Sequence, residues 1–276
     1  MYRTSPFSSS HFFAEEAPLD YLYEKKGKIA VFTLNRPEQM NAKNLEIFRG
    51  IRECMLDFRD DPDLWVCIIT GTGDKAFCAG ADVKETLPYM REHRYDDSKS
   101  LSAGTIFRDL ELWKPLIAAV NGVAYGGGCE LALACDLRIA SENARFAQLE
   151  MTVGAMPGGG GTQRWARYVP RCKAAEILLM GAVIDAREAH RIGLVNEVVP
   201  QEQLMSKAFE YAERICRLAP LAVRAAKEAM VRGSEMSFQD GLRLEKLLFE
   251  KISGTEDFLE GGKAFKEKRK PVFKGR

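Results

Sequence analysis

Through the first two hundred residues, short runs of β-branched and apolar residues alternate with stretches whose apolar positions recur at the helical period. Past Pro200 only the helical period continues. Residues 21–26 and 28–34 read as two strands around Gly27, a hairpin at a sheet edge that Asn35-Arg36-Pro37 brings to an end. Asn44 is placed to cap a helix over 45–59, in which Leu45, Ile47, Phe48, Ile51, Met55, Leu56 and Phe58 approximate one face. A central strand at 64–70, a turn at 71–74 and the segment 76–81 follow. A second unit comes next: a polar, flexible-looking stretch at 87–100, a helix over 103–113 and a buried strand at 116–120. The turn Gly126-Gly127-Gly128 and a short apolar helix at 129–135 complete it. Strand, helix, strand with short connections predicts an α/β fold with parallel pairing. Past Pro200 helices are expected at 202–218, 221–232, 238–252 and 257–268. The chain thus divides into an α/β core over 19–200 and a helical region over 201–276. Residues 1–18, with one arginine, no lysine and two glutamates, read as a loose arm rather than a signal or transit segment.

Composition narrows the function. A net charge of +1 from 40 basic and 39 acidic residues supplies no bulk field to draw nucleic acid or an anionic membrane. No apolar run approaches the ~20 residues of a membrane span. The seven cysteines are odd in number, lie mostly in apolar runs and form no CxxC pair. They point to reduced core thiols in a reducing, cytoplasmic compartment. His11, His93 and His190 stand apart, so no metal site is expected.

Candidate chemistry gathers in residues 122–150. A helix start leaves its first amides unpartnered and partly positive, so it can hold an oxyanion, and glycine there lets a reacting atom approach the backbone. Three glycines alone are as readily a plain turn. Glu130 changes that balance: flanked by Cys129, Leu131, Ala132, Leu133 and Ala134, it lies where acids are seldom buried unless paired or used. Ala79-Gly80-Ala81 forms a second turn, and both turns are expected beyond the carboxyl ends of strands, where open α/β sheets bind ligands.

Five segments carry a specific resemblance: NRPEQMNA at 35–42, AFCAGADVKE at 76–85, KPLIAAVNGVAYGGGCELALACDLRIA at 114–140, FAQLEMTVGAMPGGGGTQR at 146–164 and AFKEKRKPVFKG at 264–275. In this order, spanning nearly the whole chain, they resemble enoyl-CoA hydratases of the crotonase superfamily. The resemblance implies a crotonase fold of repeated β-β-α units with two steeply angled sheets. It also implies a helical C-terminal part that trimerises, commonly into hexamers built as dimers of trimers. It implies a substrate carried as a coenzyme A thioester, with no permanently bound cofactor. The N–H groups of Ala81 and Gly127 are implied as an oxyanion hole, and Glu130 and Glu150 as the catalytic acids. Two carboxylates in different environments can divide acid and base work, so Glu130 is assigned to activate water and Glu150 to deliver the proton to Cα. The presence of both acids points to reversible hydration of a 2-enoyl-CoA rather than to a double-bond isomerase or another acyl-CoA lyase.

The same resemblance puts Asn41, Ala42, Lys43 and Ala79 at the CoA site, with Phe265 and Lys268 reaching the nucleotide of CoA in a neighbouring subunit. Lys43 departs from the family, where an apolar residue is usual. It is expected as a phosphate contact or, more simply, a solvated charge. Trp165 and Pro170 are further departures, and Tyr89, Met90, Tyr95, Tyr125 and Trp165 are candidates for shaping the acyl pocket. Gly158 to Gly161 read as a flexible turn before a helix near Thr162. Some hydratase relatives also bind RNA. Here the helix at 45–59 sets Arg49, Arg52 and Arg59 against Glu46, Glu53 and Asp57, which makes no basic stripe. A non-catalytic scaffold is the other alternative, and the two acids argue against it.

Overall fold

Strands β1 (Tyr21–Lys26) and β2 (Ile29–Leu34) pair antiparallel around Gly27, as the pattern predicts. The computed structural model describes residues 19–276, so the expected arm at 1–18 lies outside the described residues. Helix α1 (Leu45–Asp60) is capped by Asn44, whose side chain accepts the Ile47 amide. It returns the chain to β3 (Val66–Gly71), parallel to β2.

One pattern then repeats: a strand of a large sheet, a short strand of a small sheet, a helix. β3 is followed by β4 (Ala76–Cys78) and α2 (Val83–Glu92). The next unit is β5 (Leu116–Val120), β6 (Val123–Tyr125) and α3 (Gly127–Ala134). The third is β7 (Leu137–Ser141) and β8 (Arg145–Ala147), leading to α4 (Gly161–Tyr168) and α5 (Arg171–Met180). β9 (Ile184–Asp185), α6 (Ala186–Arg191) and β10 (Glu197–Val199) complete the sheets. The large sheet runs β1-β2-β3-β5-β7-β10 and the small one β4-β6-β8-β9.

β3 and β5 are buried at every position, because both faces of the large sheet are covered, and their sequences are accordingly continuous apolar runs. On one face Phe32, Ile69 and Val120 pack with Phe58 of α1, Phe77 of β4 and Leu131 of α3. On the other, Ile29, Val66, Ile68, Ile117 and Ile139 pack against Leu204, Ala208 and Ala212 of α7 (Leu204–Cys216). Each such aliphatic side chain contributes about 1.5–3 kcal/mol on burial, so a charge at Ile117 would break the sheet's centre.

Helices α8 (Pro220–Gly233), α9 (Phe238–Ser253) and α10 (Glu256–Lys266) follow. In α9 no residue is buried, and Phe238, Leu247 and Phe249, with Leu259 of α10, are left exposed. The chain end is tied back by Asp257, whose carboxylate accepts the amides of Lys274 and Gly275 at 2.7 and 2.8 Å.

Two expectations fail. The stretch at 87–100 is helical as far as Glu92, since α2 begins at Val83 under an Asp82 cap and continues through Pro88. The helix over 103–113 is absent, and the segment runs as successive turns. Gly104 takes φ +64, and the Thr105 hydroxyl donates to the Ser102 carbonyl, a local bond that competes with the helical one. Strand β6, hidden in a glycine-rich sequence, was not foreseen.

Candidate active site

β4 and β6 are parallel neighbours, so the two turns that follow them meet. A β-carbon on Gly80 would lie 3.2 Å from the Tyr125 carbonyl oxygen and 3.7 Å from the Gly127 nitrogen. Gly126 takes φ +49 to start α3, and a β-carbon on Gly128 would collide with the Cys78 carbonyl oxygen. Only glycine lets α3 sit this close to β4.

Lys43 bridges alongside Ala81: its amide donates to the Gly80 carbonyl and its carbonyl accepts the Asp82 amide, both at 2.8 Å. The Ala81 amide between them has no acceptor among the described residues. The same holds for Gly127, whose N–H belongs to the first turn of α3. Both residues line a cavity of about 480 Å³ with Glu130 and Glu150, walled further by Phe48, Leu87, Met90, Phe107 and Met156.

Glu130 is 4% exposed in the first turn of α3, and its Oε1 accepts the amides of Gly159 at 2.7 Å and Gly161 at 2.8 Å. Two backbone donors on one oxygen satisfy a buried acid and leave Oε2 for a ligand. The glycine loop is fixed from behind: Arg164 donates to the carbonyls of Gly159 at 2.8 Å and Phe107 at 2.9 Å, and Arg108 to that of Gly158 at 2.9 Å. The flexible turn expected at Gly158 to Gly161 is therefore a built cradle for Glu130. Its signal in the sequence was a glycine run with an arginine three residues on.

Glu150 starts a short 3-10 turn and is half-buried. Burial pushes its carboxyl up to about 7; the charge of Glu130 adds to this, and its own backbone amide and Lys43 oppose it. With its amide oriented by its neighbours, buried Gln148 donates to both Glu150 oxygens at 3.0 Å and accepts from the Trp165 indole at 3.1 Å. Gln148 escaped the sequence reading. Trp165 is wholly buried, and its indole holds Gln148 rather than lining the cavity.

Of the other pocket candidates, Met90 lines the cavity; Tyr89, Tyr95 and Tyr125 do not, and Tyr89 packs on the His93 ring. Ala79 lines the cavity. Asn41 does not: fully buried, it donates to the carbonyls of Thr72 and Ala76 and accepts the Arg36 amide, so its side chain is spent on the turn. The Ala42 carbonyl accepts from Arg36, and Ala42 stays outside the wall. Phe265, 85% exposed, and Lys268 lie apart from the cavity of their own chain. Lys43 lines the cavity and is not a solvated charge. It is 2% exposed, and its ammonium donates to the Gly127 carbonyl at 2.7 Å.

Among the described residues no group of three His, Cys, Asp or Glu side chains comes together as a metal site, and no helix is long and apolar enough to cross a membrane. The cysteines are free, five of them buried.

Residues 24–276 match the family model described as enoyl-CoA hydratase/isomerase. The chain is 43% identical over 259 residues to an (E)-benzylidenesuccinyl-CoA hydratase of Thauera aromatica, covering 91% of this chain and 98% of that one. It is 43% identical over 252 residues to a short-chain-enoyl-CoA hydratase of Clostridium acetobutylicum, covering 90% and 95%. Among solved structures, the enoyl-CoA hydratase of Bacillus anthracis superposes with a TM-score of 0.87 at 40% identity, over 93% of this chain and all of that one.

Proposed function

Since the chain belongs to the enoyl-CoA hydratase/isomerase family, we propose that it catalyses the reversible hydration of a 2-enoyl-CoA thioester to the 3-hydroxyacyl-CoA. One observation carries this reading: two acceptor-free amides, Ala81 and Gly127, and two carboxyls in unlike surroundings, Glu130 and Glu150, line a single cavity.

In hydration the thioester oxygen accepts from the two amides. Glu130 takes a proton from water through its free oxygen, and the hydroxide oxygen bonds to Cβ. The π pair moves toward the carbonyl as an enolate, which takes a new proton at Cα from Glu150. The amides act on charge that appears chiefly on the way to the transition state, and losing one such donor typically costs ~3–4 kcal/mol of activation energy. Burial of Glu150 suits it to hold the proton near neutral pH.

Ala79 belongs to the thioester end of the CoA site. Phe265 and Lys268, exposed near the chain end, serve the CoA of a neighbouring subunit in a trimer or hexamer, for which the bare apolar residues of α9 and α10 speak. CoA is substrate rather than a resident cofactor. The buried free thiols suit a reducing compartment, in keeping with the cytoplasm.

A spectrophotometric screen of 2-enoyl-CoA esters of graded length and branching tests the reading through loss of the conjugated thioester absorbance. Failure across the panel, with double-bond migration in a 3-enoyl-CoA, would replace hydration by isomerisation.

A further inference from the structure

The hydration scheme leaves Lys43 without a role, yet its ammonium is buried in the cavity wall. It lies over the rings of Phe107 and Phe48, 4.4 and 4.7 Å from their centroids, and gives one hydrogen bond, to the Gly127 carbonyl. It forms no ion pair among the described residues. Removing an ammonium from water without a counter-charge at contact is costly, and an apolar side chain of similar volume would fill the space at no such cost. A negative charge arriving in the cavity would offset the deficit.

Distance says where that charge belongs. The position a β-carbon would take on Gly127 lies 3.1 Å from Lys43 Nζ and 3.8 Å from the Ala81 amide nitrogen. The ammonium therefore borders the space between the two acceptor-free amides. Burial pushes its pKa below the ordinary lysine value, while Glu130 and Glu150 favour the charged form.

We propose that Lys43 is a cationic third element of the oxyanion site, stabilising the enolate oxygen of the bound thioester beside the Ala81 and Gly127 amides and transferring no proton. The proposal rests on the acyl-CoA reading above. A neutral ground-state thioester leaves the ammonium uncompensated and the enolate compensates it, so the interaction strengthens along the reaction.

Acetoacetyl-CoA is a suitable probe: a 3-oxoacyl thioester ionises to a conjugated enolate with its own near-ultraviolet band and requires no turnover by either glutamate. Lys43→Met removes the charge at similar volume, Lys43→Leu provides a second neutral variant, and melting curves check both. At fixed pH the enolate-to-keto ratio of the bound ligand is expected to fall on the order of 10- to 100-fold in each. Hydration kcat should drop in parallel, with free CoA affinity within about threefold of wild type. Unchanged enolate formation in a folded neutral variant would overturn the proposal. So would a rise in KM confined to acyl-CoAs bearing a carboxylate with kcat intact, which would make Lys43 a reader of the acyl group. A wild-type protein that binds acetoacetyl-CoA but hydrates nothing would sink the hydration reading and leave the oxyanion proposal standing. One that binds no CoA thioester at all would sink both.

Discussion

The Gly159 amide donates to Glu130 Oε1 at 2.7 Å, so a loop residue far along the chain fixes the carboxyl of an acid in α3. A β-carbon on Gly159 would come within 2.7 Å of Glu130 Oε2 and 3.3 Å of the Phe107 ring. Gly159→Ala should therefore displace the acid while leaving the sheets untouched. Turnover is expected to fall roughly 10²-fold, with stability changed by about 1 kcal/mol, since a misplaced group loses orientation more than it disturbs packing. Steady-state kinetics and a melting curve on the same preparation check this; turnover within threefold of wild type would mean that the contact does not position Glu130.

The raised pKa of Glu150 gives a pH dependence of definite sign. The working pair carries one proton between its two carboxyls, and hydration leaves that count unchanged, because one acid gives a proton to Cα as the other takes one from water. As pH rises through about 7 the pair loses its proton, so kcat/KM should fall on that side. It should fall in the same way for hydration and dehydration, since the equilibrium between neutral substrate and product does not depend on pH. Stability shares the sign: a folded value near 7 against 4.5 means that the folded protein binds more protons in that window and loses stability as pH rises across it. Glu150→Gln should flatten both slopes, and a slope that survives the substitution belongs to another group.

Gln148 donates to both Glu150 oxygens and so favours the ionised form. Gln148→Leu should shift the alkaline limb of kcat/KM upward by about 0.5–1 pH unit. A downward shift would show that the amide presents its oxygen to the carboxyl instead.

Much of this was legible because short-range chemistry wrote it. Asn44 before an amphipathic run gave α1, the continuous apolar run at Leu116–Val120 gave β5, and an acid at the start of an apolar helix marked Glu130. What stayed hidden depends on packing between distant segments. The cradle of Gly159 and Gly161 requires α4 to approach α3, and a lone glutamine before Glu150 has no sequence signature. The burial of Lys43 stayed hidden because charge alone predicts solvent exposure, while in the fold its backbone pairs beside Ala81. The helix expected at 103–113 failed on the two residues, Gly104 and Thr105, that take other bonds.

Assembly is the next test. Phe238, Leu247, Phe249 and Leu259 are exposed apolar side chains on α9 and α10, the kind of surface that a subunit interface covers. Light scattering at micromolar concentration should give the mass of three or six chains. Charged residues at Leu247 and Phe249 together should lower that mass and, through loss of the neighbour's contacts near Phe265 and Lys268, raise KM for acyl-CoA more than they lower kcat. An active monomer of the unaltered protein would contradict the assembly.

Glu130→Gln and Glu150→Gln preserve shape while removing the ability to exchange a proton, so they separate catalysis from support of the fold. Each should lower kcat by roughly 10²- to 10⁴-fold with CoA affinity little changed. The double variant should lose far less than the product of the two, because a scheme that needs both acids is already disabled by the loss of one. The surroundings predict an asymmetry in stability. Glutamine at 130 places an amide where Oε1 now accepts two backbone donors, and the carbonyl half of that amide can still receive them. Melting should therefore hold for Glu130→Gln and should improve for Glu150→Gln above pH 7, where the half-buried carboxyl is forced to ionise. Turnover and melting measured together on the three variants decide the matter: near-full turnover in either single variant removes that acid from the mechanism, and a melting loss that tracks the activity loss returns it to a structural role.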